Sequence, residues 1–151
     1  MWREAKMIKA SDVKKLRDMT GLGMMDCKEA LVAANGVFEQ AIDNLRKQSK
    51  KIEKRASRET GQGIVVSKVD EDGNYGLMLE LKCESDFVAK TPDFRVLANH
   101  LLNVCTDENI QTAEDLLRNN SGKQSIEEGI IKFGENITVG RMVRMQVGEN
   151  G

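Results

Sequence analysis

Two short breaks near the start of the chain limit what it can fold into more than any other feature. Thr20-Gly21-Leu22-Gly23 and Asn35-Gly36 interrupt sequence that is otherwise helix-compatible. Glycine and asparagine enter left-handed backbone at low cost, so each break ends a helix and turns the chain. Ahead of the first break, Ser11 or Asp12 can cap a helix whose Val13, Leu16 and Met19 follow helical spacing. Met24-Met25 come next, and Asp26 is placed to cap a second helix over residues 27–34. Phe38, Ala41, Ile42 and Leu45 then share one face of a third. With residues 1–9 read as a frayed start, residues 1–46 form a three-helix domain, a unit so small that it is marginal alone.

Residues 47–60 carry the next composition shift. From Lys47 to Arg58 the chain is charged and nearly core-free, which reads as a solvated helical linker serving as a spacer. Charge divides along the same line. Residues 1–60 hold 14 Lys/Arg against 9 Asp/Glu, and residues 61–151 hold 9 against 15. A basic first part and an acidic remainder indicate two units and argue against one uniform nucleic-acid surface. Aromatic residues are only 4% of the chain, so the core rests on Leu, Ile, Val, Ala and the eight Met.

Residues 61–151 read as an α+β unit. Ile64-Val65-Val66-Ser67-Lys68-Val69 is β-branched, and Asp70-Glu71-Asp72-Gly73-Asn74 supplies a hairpin turn. In the following strand, residues 75–83, Tyr75, Leu77, Leu79 and Leu81 lie on one face while Gly76, Met78, Glu80 and Lys82 lie on the other. Thr91 caps an amphipathic helix with Pro92 in its first turn and Phe94, Leu97, Ala98, Leu101, Leu102 and Cys105 along its stripe. Short helices around residues 112–118 and 126–132 follow. A last strand over residues 137–147 places Ile137, Val139 and Val143 on one face and Met142 on the other. The expectation is a small antiparallel sheet with helices on one face, preceded by the three-helix bundle.

Several function classes fall away. Cys27, Cys83 and Cys105 are odd in number and widely spaced, which favours reduced thiols in a cytosolic protein. His100 is the sole histidine, and no Cys/His grouping has zinc spacing, so neither a metal nor another cofactor is expected. No nucleophile–histidine–carboxylate set is suggested, and Gly21-Leu22-Gly23 lacks the lysine-serine pair and preceding strand of a phosphate loop; no enzyme is expected. Cys27 at a helix start has either a lowered thiol pKa or, more ordinarily, a packing role. No apolar run approaches the ~18 residues of a membrane span, and there is no signal peptide. The Asn119 and Asn136 glycosylation patterns are chance matches in such a chain. The basic linker lacks the interleaved aromatics that stack on bases.

Two stretches remain as binding candidates. Met24 and Met25 follow a flexible turn in a bundle too small to bury both; either they join Arg17 and Lys28 in a partner-binding patch or both enter the core. Glu84-Ser85-Asp86-Phe87-Val88-Ala89-Lys90 sets a carboxylate beside an aromatic ring between a strand and a helix. Here the ordinary reading is that Phe87 and Val88 tuck under the helix while Asp86 caps or meets solvent.

Leu16-Arg17-Asp18-Met19-Thr20-Gly21-Leu22-Gly23-Met24-Met25-Asp26-Cys27-Lys28-Glu29-Ala30-Leu31 resembles the amino-terminal signature of the bacterial and organellar elongation factor Ts family. Cys83-Glu84-Ser85-Asp86-Phe87-Val88-Ala89 is similar to its second signature and Gly134-Glu135-Asn136-Ile137 to a third, with order and spacing agreeing over about residues 8–147. The resemblance implies a ubiquitin-associated-like first domain and a guanine-nucleotide exchange factor for elongation factor Tu. It makes Asp86 and Phe87 a wedge near the magnesium of that GTPase. Val88 and Ala89 shape the loop, and Arg17, Met24, Met25 and Lys28 grip the partner. It implies a place in the bacterial cytoplasm or an organellar matrix or stroma.

Ser85 stands where the family usually has threonine, and both can bond locally to backbone. Longer members continue into a second, related core subdomain, so this chain reads as a fragment or a short form. With one sheet face left uncovered by its helices, the expectation is self-association into a homodimer through that face. The rival reading is an interaction module that binds a partner through the three-helix domain without exchange.

Overall fold

The computed structural model describes residues 8–149, so the expected frayed start lies outside the described residues for residues 1–7. The chain divides into two compact units, Met1–Glu53 and Lys54–Gly151.

The first unit holds helix α1 (Ala10–Thr20), α2 (Met24–Ala33) and most of α3 (Phe38–Ala56). Gly21 ends α1 at φ 70°, with its N–H on the Arg17 carbonyl at 2.7 Å. Asn35 and Gly36, at φ 50° and 81°, end the second helix; the Gly36 N–H returns to the Leu31 carbonyl at 2.8 Å. Val13, Leu16, Cys27, Ala30, Leu31, Ala34, Ala41 and Leu45 form the core, with Ile8, Leu22, Phe38 and Ile42 packed at its edge.

Three local expectations are corrected here. Neither Ser11 nor Asp12 caps α1; Lys9 occupies the cap position, without a side-chain hydrogen bond. The second helix begins at Met24 rather than Cys27, with Gly23 at its cap, so Asp26 sits buried within the first turn. Met19 is exposed, not part of the buried stripe. At 100° per residue, two three-residue steps from Val13 fall about 120° short of full turns, and Met19 has rotated off the face that Val13 and Leu16 share.

The second unit is a three-stranded antiparallel sheet, β1 (Gln62–Val69), β2 (Tyr75–Cys83) and β3 (Ile137–Gln146), in the order β1-β2-β3. Asp70 closes the β1–β2 hairpin: its Oδ1 accepts the N–H of Asn74 at 2.8 Å, and Gly73 supplies the left-handed residue. Four helices follow β2: α4 (Asp86–Ala89), α5 (Pro92–Asp107), α6 (Ala113–Arg118) and α7 (Asn120–Phe133). Thr91 caps α5 by accepting from the Phe94 N–H at 3.2 Å. The last helix is twice the expected length because Asn119 caps it, taking the Gly122 N–H at 3.0 Å.

Leu77, Leu79, Leu81 and Cys83 project from β2 into the core, joined by Val66, Phe94, Leu101, Leu116, Ile137 and Val139. Each fully buried leucine adds roughly 1.5–3 kcal/mol. The architecture is α+β, a three-helix amino-terminal bundle followed by a sheet with helices against one face.

The opposite face overturns one expectation. Leu79 pairs with Met142 but Leu81 with Val139, so Glu80 alone stands opposite Gly140 and Arg141, a β-bulge. The extra residue inverts the alternation beyond it. Val143 pairs with Met78 on the open face instead of following Ile137 and Val139 inward, and Met142 takes the core side.

Candidate functional site

The stretch after β2 is a single helical turn and not an open loop. Ser85 adopts extended backbone at φ −117° and caps the turn, its Oγ accepting the Val88 N–H at 3.3 Å. Of the two roles open to Asp86, capping belongs to Ser85, and the Asp86 side chain meets solvent. Within the turn, Ala89 N–H reaches the Ser85 carbonyl at 3.2 Å and Lys90 N–H the Asp86 carbonyl at 3.0 Å. Thr91 closes it from behind, its Oγ1 donating to the Val88 carbonyl at 2.8 Å.

One turn sends its side chains in different directions. Ala89 points inward and is buried, Val88 is half-buried, and Asp86 is exposed. Phe87 stands in solvent with 83% of its surface accessible. A ring that tucked under the helix would be covered, so that reading fails. Ala89 cannot offer its methyl to a partner; its burial anchors the turn instead. The Asp86 carboxylate meets Lys90 Nζ at 3.2 Å, an exposed pair that contributes little to stability and leaves the group free to exchange partners.

Sequence reasoning missed what holds the turn. Glu135, in the connection between α7 and β3, accepts the N–H groups of Glu84 at 3.1 Å and Ser85 at 2.9 Å through Oε1, and the Ser85 hydroxyl through Oε2. Glu84 reciprocates, its Oε2 taking the Asn136 N–H and lying 3.7 Å from Arg58 Nη1. Asn136, 6% exposed, donates its side-chain N–H₂ to the carbonyls of Arg58 at 2.8 Å and Ala56 at 3.3 Å. So buried a side chain is no glycosylation acceptor in the folded protein. The signal was present in Gly134-Glu135-Asn136-Ile137, but only the fold brings it within reach of Ser85.

The first unit carries the other expected residues. Arg17 lies exposed in the last turn of α1 beside Asp18, at 4.0 Å. Met24 and Met25, 49% and 52% exposed, form the first turn of α2, and exposed Lys28 follows one turn later. Core placement of both methionines is ruled out. Met19 adds a third exposed methionine beside the same break. Thr20 fixes that break, its hydroxyl donating to the Leu16 carbonyl at 2.8 Å.

Cys27, Cys83 and Cys105 are free and buried. Burial pushes the Cys83 thiol up, and the Glu135 charge adds to the effect. Cys27 is raised too, chiefly by burial, which overturns a lowered pKa at the helix start. Among the described residues, no group of three or more His, Cys, Asp or Glu is placed to hold a metal ion. No described helix is long and apolar enough to cross a membrane.

A family model described as Elongation factor TS matches residues 84–151. An elongation factor Ts of Fervidobacterium nodosum is 37% identical, with 94% of this chain and 99% of the relative covered. That alignment runs over 195 positions, more than this chain's 151 residues, so the relative carries sequence with no counterpart here. Elongation factors Ts of Yersinia pestis and Yersinia pseudotuberculosis are 43% identical over 92% of this chain, which spans about half their length, 48%. On these similarities, carried by a chain whose strand-end turn, bundle and sheet have just been described, the protein belongs to the elongation factor Ts family.

Proposed function

We propose that this chain promotes release of GDP from elongation factor Tu during translation elongation. It does so by binding alone, with no covalent chemistry, and needs no cofactor, nucleic acid or membrane. The observation that carries this reading is Phe87, a large apolar ring presented to solvent on a turn pinned at both ends. An isolated protein gains nothing from such exposure, whereas a partner with a matching pocket gains the ring's full burial. Beside it, the Asp86 carboxylate brings negative charge toward a site that holds magnesium and phosphates. A factor that binds the empty GTPase better than its GDP form must weaken GDP binding by the same factor.

Arg17, Met24, Met25 and Lys28 supply a second contact in this reading, one that adds affinity. Their exposure also supports the rival reading, a ubiquitin-associated-like module that binds a partner without exchange. Stopped-flow release of labelled GDP from elongation factor Tu separates the two. The wild-type chain should accelerate release, and Phe87→Ala should slow it at least tenfold while binding persists. A folded, bound Phe87→Ala protein with an unchanged rate would sink the wedge.

A homodimer belongs to the same reading. The open sheet face carries Val65, Val69, Met78, Val143 and Met145, all exposed, together with Glu80 and Lys82 of opposite sign. Such a face is complementary to itself, and a two-fold pair is the simplest closed arrangement. The place of action is the cytoplasm, or the matrix or stroma for an organellar form.

A further inference from the structure

We infer that Glu135 is the positioning residue of the Phe87 turn: its carboxylate, more than the turn's own sequence, determines where the ring stands. The inference rests on the exchange reading for its consequence but not for its geometry.

The β2–β3 ladder ends at the pair Cys83↔Ile137. Continued in register, the next two pairs would set Glu84 opposite Asn136 and Ser85 opposite Glu135. The strands have separated there, and side-chain carboxylates replace the carbonyls. Glu135 takes the two N–H groups of Glu84 and Ser85, while Glu84 takes the N–H of Asn136. This exchange of carboxylates carries the join past the end of the sheet to the residue that caps the turn.

The turn cannot hold itself. A helix of four residues closes too few hydrogen bonds to offset the ordering of its backbone. Its direction is therefore imposed from its ends. At the back, buried Ala89 and the Thr91 hydroxyl fix it. At the front, the turn hangs from Ser85, whose carbonyl accepts from the Cys83 thiol at 3.1 Å and whose hydroxyl donates to Glu135 Oε2 while accepting from the Val88 N–H. Without Glu135 that hydroxyl loses the partner that orients it, and the cap on Val88 loosens. Phe87 lies between Ser85 and Val88 and takes its direction from both.

Glu135 is itself fixed. Its neighbour Asn136 is buried and bonded to the carbonyls of Ala56 and Arg58. A wedge held in its binding geometry before contact avoids ordering it during contact. The benefit should appear in the release step, since Glu135 is half-buried and bonds the start of the turn, while Phe87 stands in solvent.

The test uses the full chain with Glu135→Ala and Glu135→Gln. Three quantities are read: GDP release at saturating protein, the half-saturating concentration, and amide hydrogen exchange at Ser85 and Val88. Glu135→Ala should lower the saturating rate about tenfold and move half-saturation less than threefold. Ser85 and Val88 amides should exchange at least tenfold faster, with Leu79 and Leu81 still protected. Glu135→Gln keeps an oxygen for the two N–H groups and should restore most of the rate. If Glu135→Ala does not fold, Glu135→Asp, which draws the carboxylate back by one methylene, is read in the same way. Unchanged exchange at Ser85 and Val88 overturns the positioning role whatever the release assay gives. A wild-type chain that fails to accelerate release overturns the exchange reading, and the amide comparison then decides the geometry alone.

Discussion

Glu80 reaches along the open sheet face and its Oε1 accepts the Arg141 N–H at 3.1 Å, occupying the space beside Gly140. A Cβ on Gly140 would collide with that same oxygen. The carboxylate thus fills the bulge and pairs the N–H that the extra residue leaves over.

Two glycines on this face should therefore respond differently to alanine. At Gly140 the obstacles are the side chains of Glu80 and Lys82, so both can swing away with loss of the Glu80–Arg141 hydrogen bond. At Gly63 the obstacle is the Leu81 carbonyl oxygen, which moves only if the β1–β2 pairing moves. Gly63→Ala should cost about 2–3 kcal/mol and Gly140→Ala about 1 kcal/mol. Urea denaturation of both variants checks the order; equal costs would mean that the sheet yields as easily as a side chain.

The bulge also shows where sequence reading stops. Gly21, Asn35-Gly36, Asp70 to Asn74 and Thr91-Pro92 were legible because each acts on backbone within a few residues of itself. Strand alternation was legible through all of β2 and in β3 only as far as Val139, since the residue that interrupts β3 is explained by a partner sixty-one positions away. Val143 and Met142 exchanged faces for that reason. In the site, Asp86 and Phe87 stood out as a pattern, but the cap at Ser85 depends on Glu135, fifty residues on. The start of α2 escaped for a different cause. Gly23 caps it without any side-chain bond, so Asp26 looked the better cap.

Met24 and Met25 should contribute to affinity for elongation factor Tu and leave the release step alone. Both are about half exposed, and truncation at an interface anchor of this kind typically costs ~1–2 kcal/mol. Replacing either with Ala should raise the half-saturating concentration roughly five- to thirtyfold, with the saturating rate unchanged. Circular dichroism of the variants should match the wild type. Unfolding instead would return both residues to a structural role.

Alkaline stability should register Cys105. Burial, with a lesser push from Glu108, raises this thiol from 9.0 to about 11. The folded state therefore holds a proton that the unfolded chain releases earlier. The resulting stabilisation is complete below pH 9 and is lost as pH rises toward and through 11. Cys105→Ala removes that titration. Its stability deficit relative to wild type, about 1–2 kcal/mol at neutral pH, should shrink between pH 9 and 11. A deficit constant across that window would show that the thiol titrates alike in both states.

Self-association through the open face should be weak, and the geometry says why. Three strands about 4.8 Å apart and up to ten residues long present a footprint of roughly 14 by 30 Å. Two copies face to face then bury about 800 Å², short of the ~1,200–2,000 Å² of stable interfaces. Met78 and Val143, cross-strand partners, supply the apolar centre, and Glu80 and Lys82 supply charges that a two-fold axis can bring into opposition. Dimerisation should accordingly appear in light scattering only as concentration rises through the micromolar range and above. Val143→Glu places a carboxylate in the apolar centre and should hold the chain monomeric. Because Val143 is exposed in the single chain, the same substitution should change folding stability by less than about 0.5 kcal/mol. A wild-type chain that stays monomeric at every concentration while still releasing GDP would exclude the homodimer and leave the open sheet face without this role.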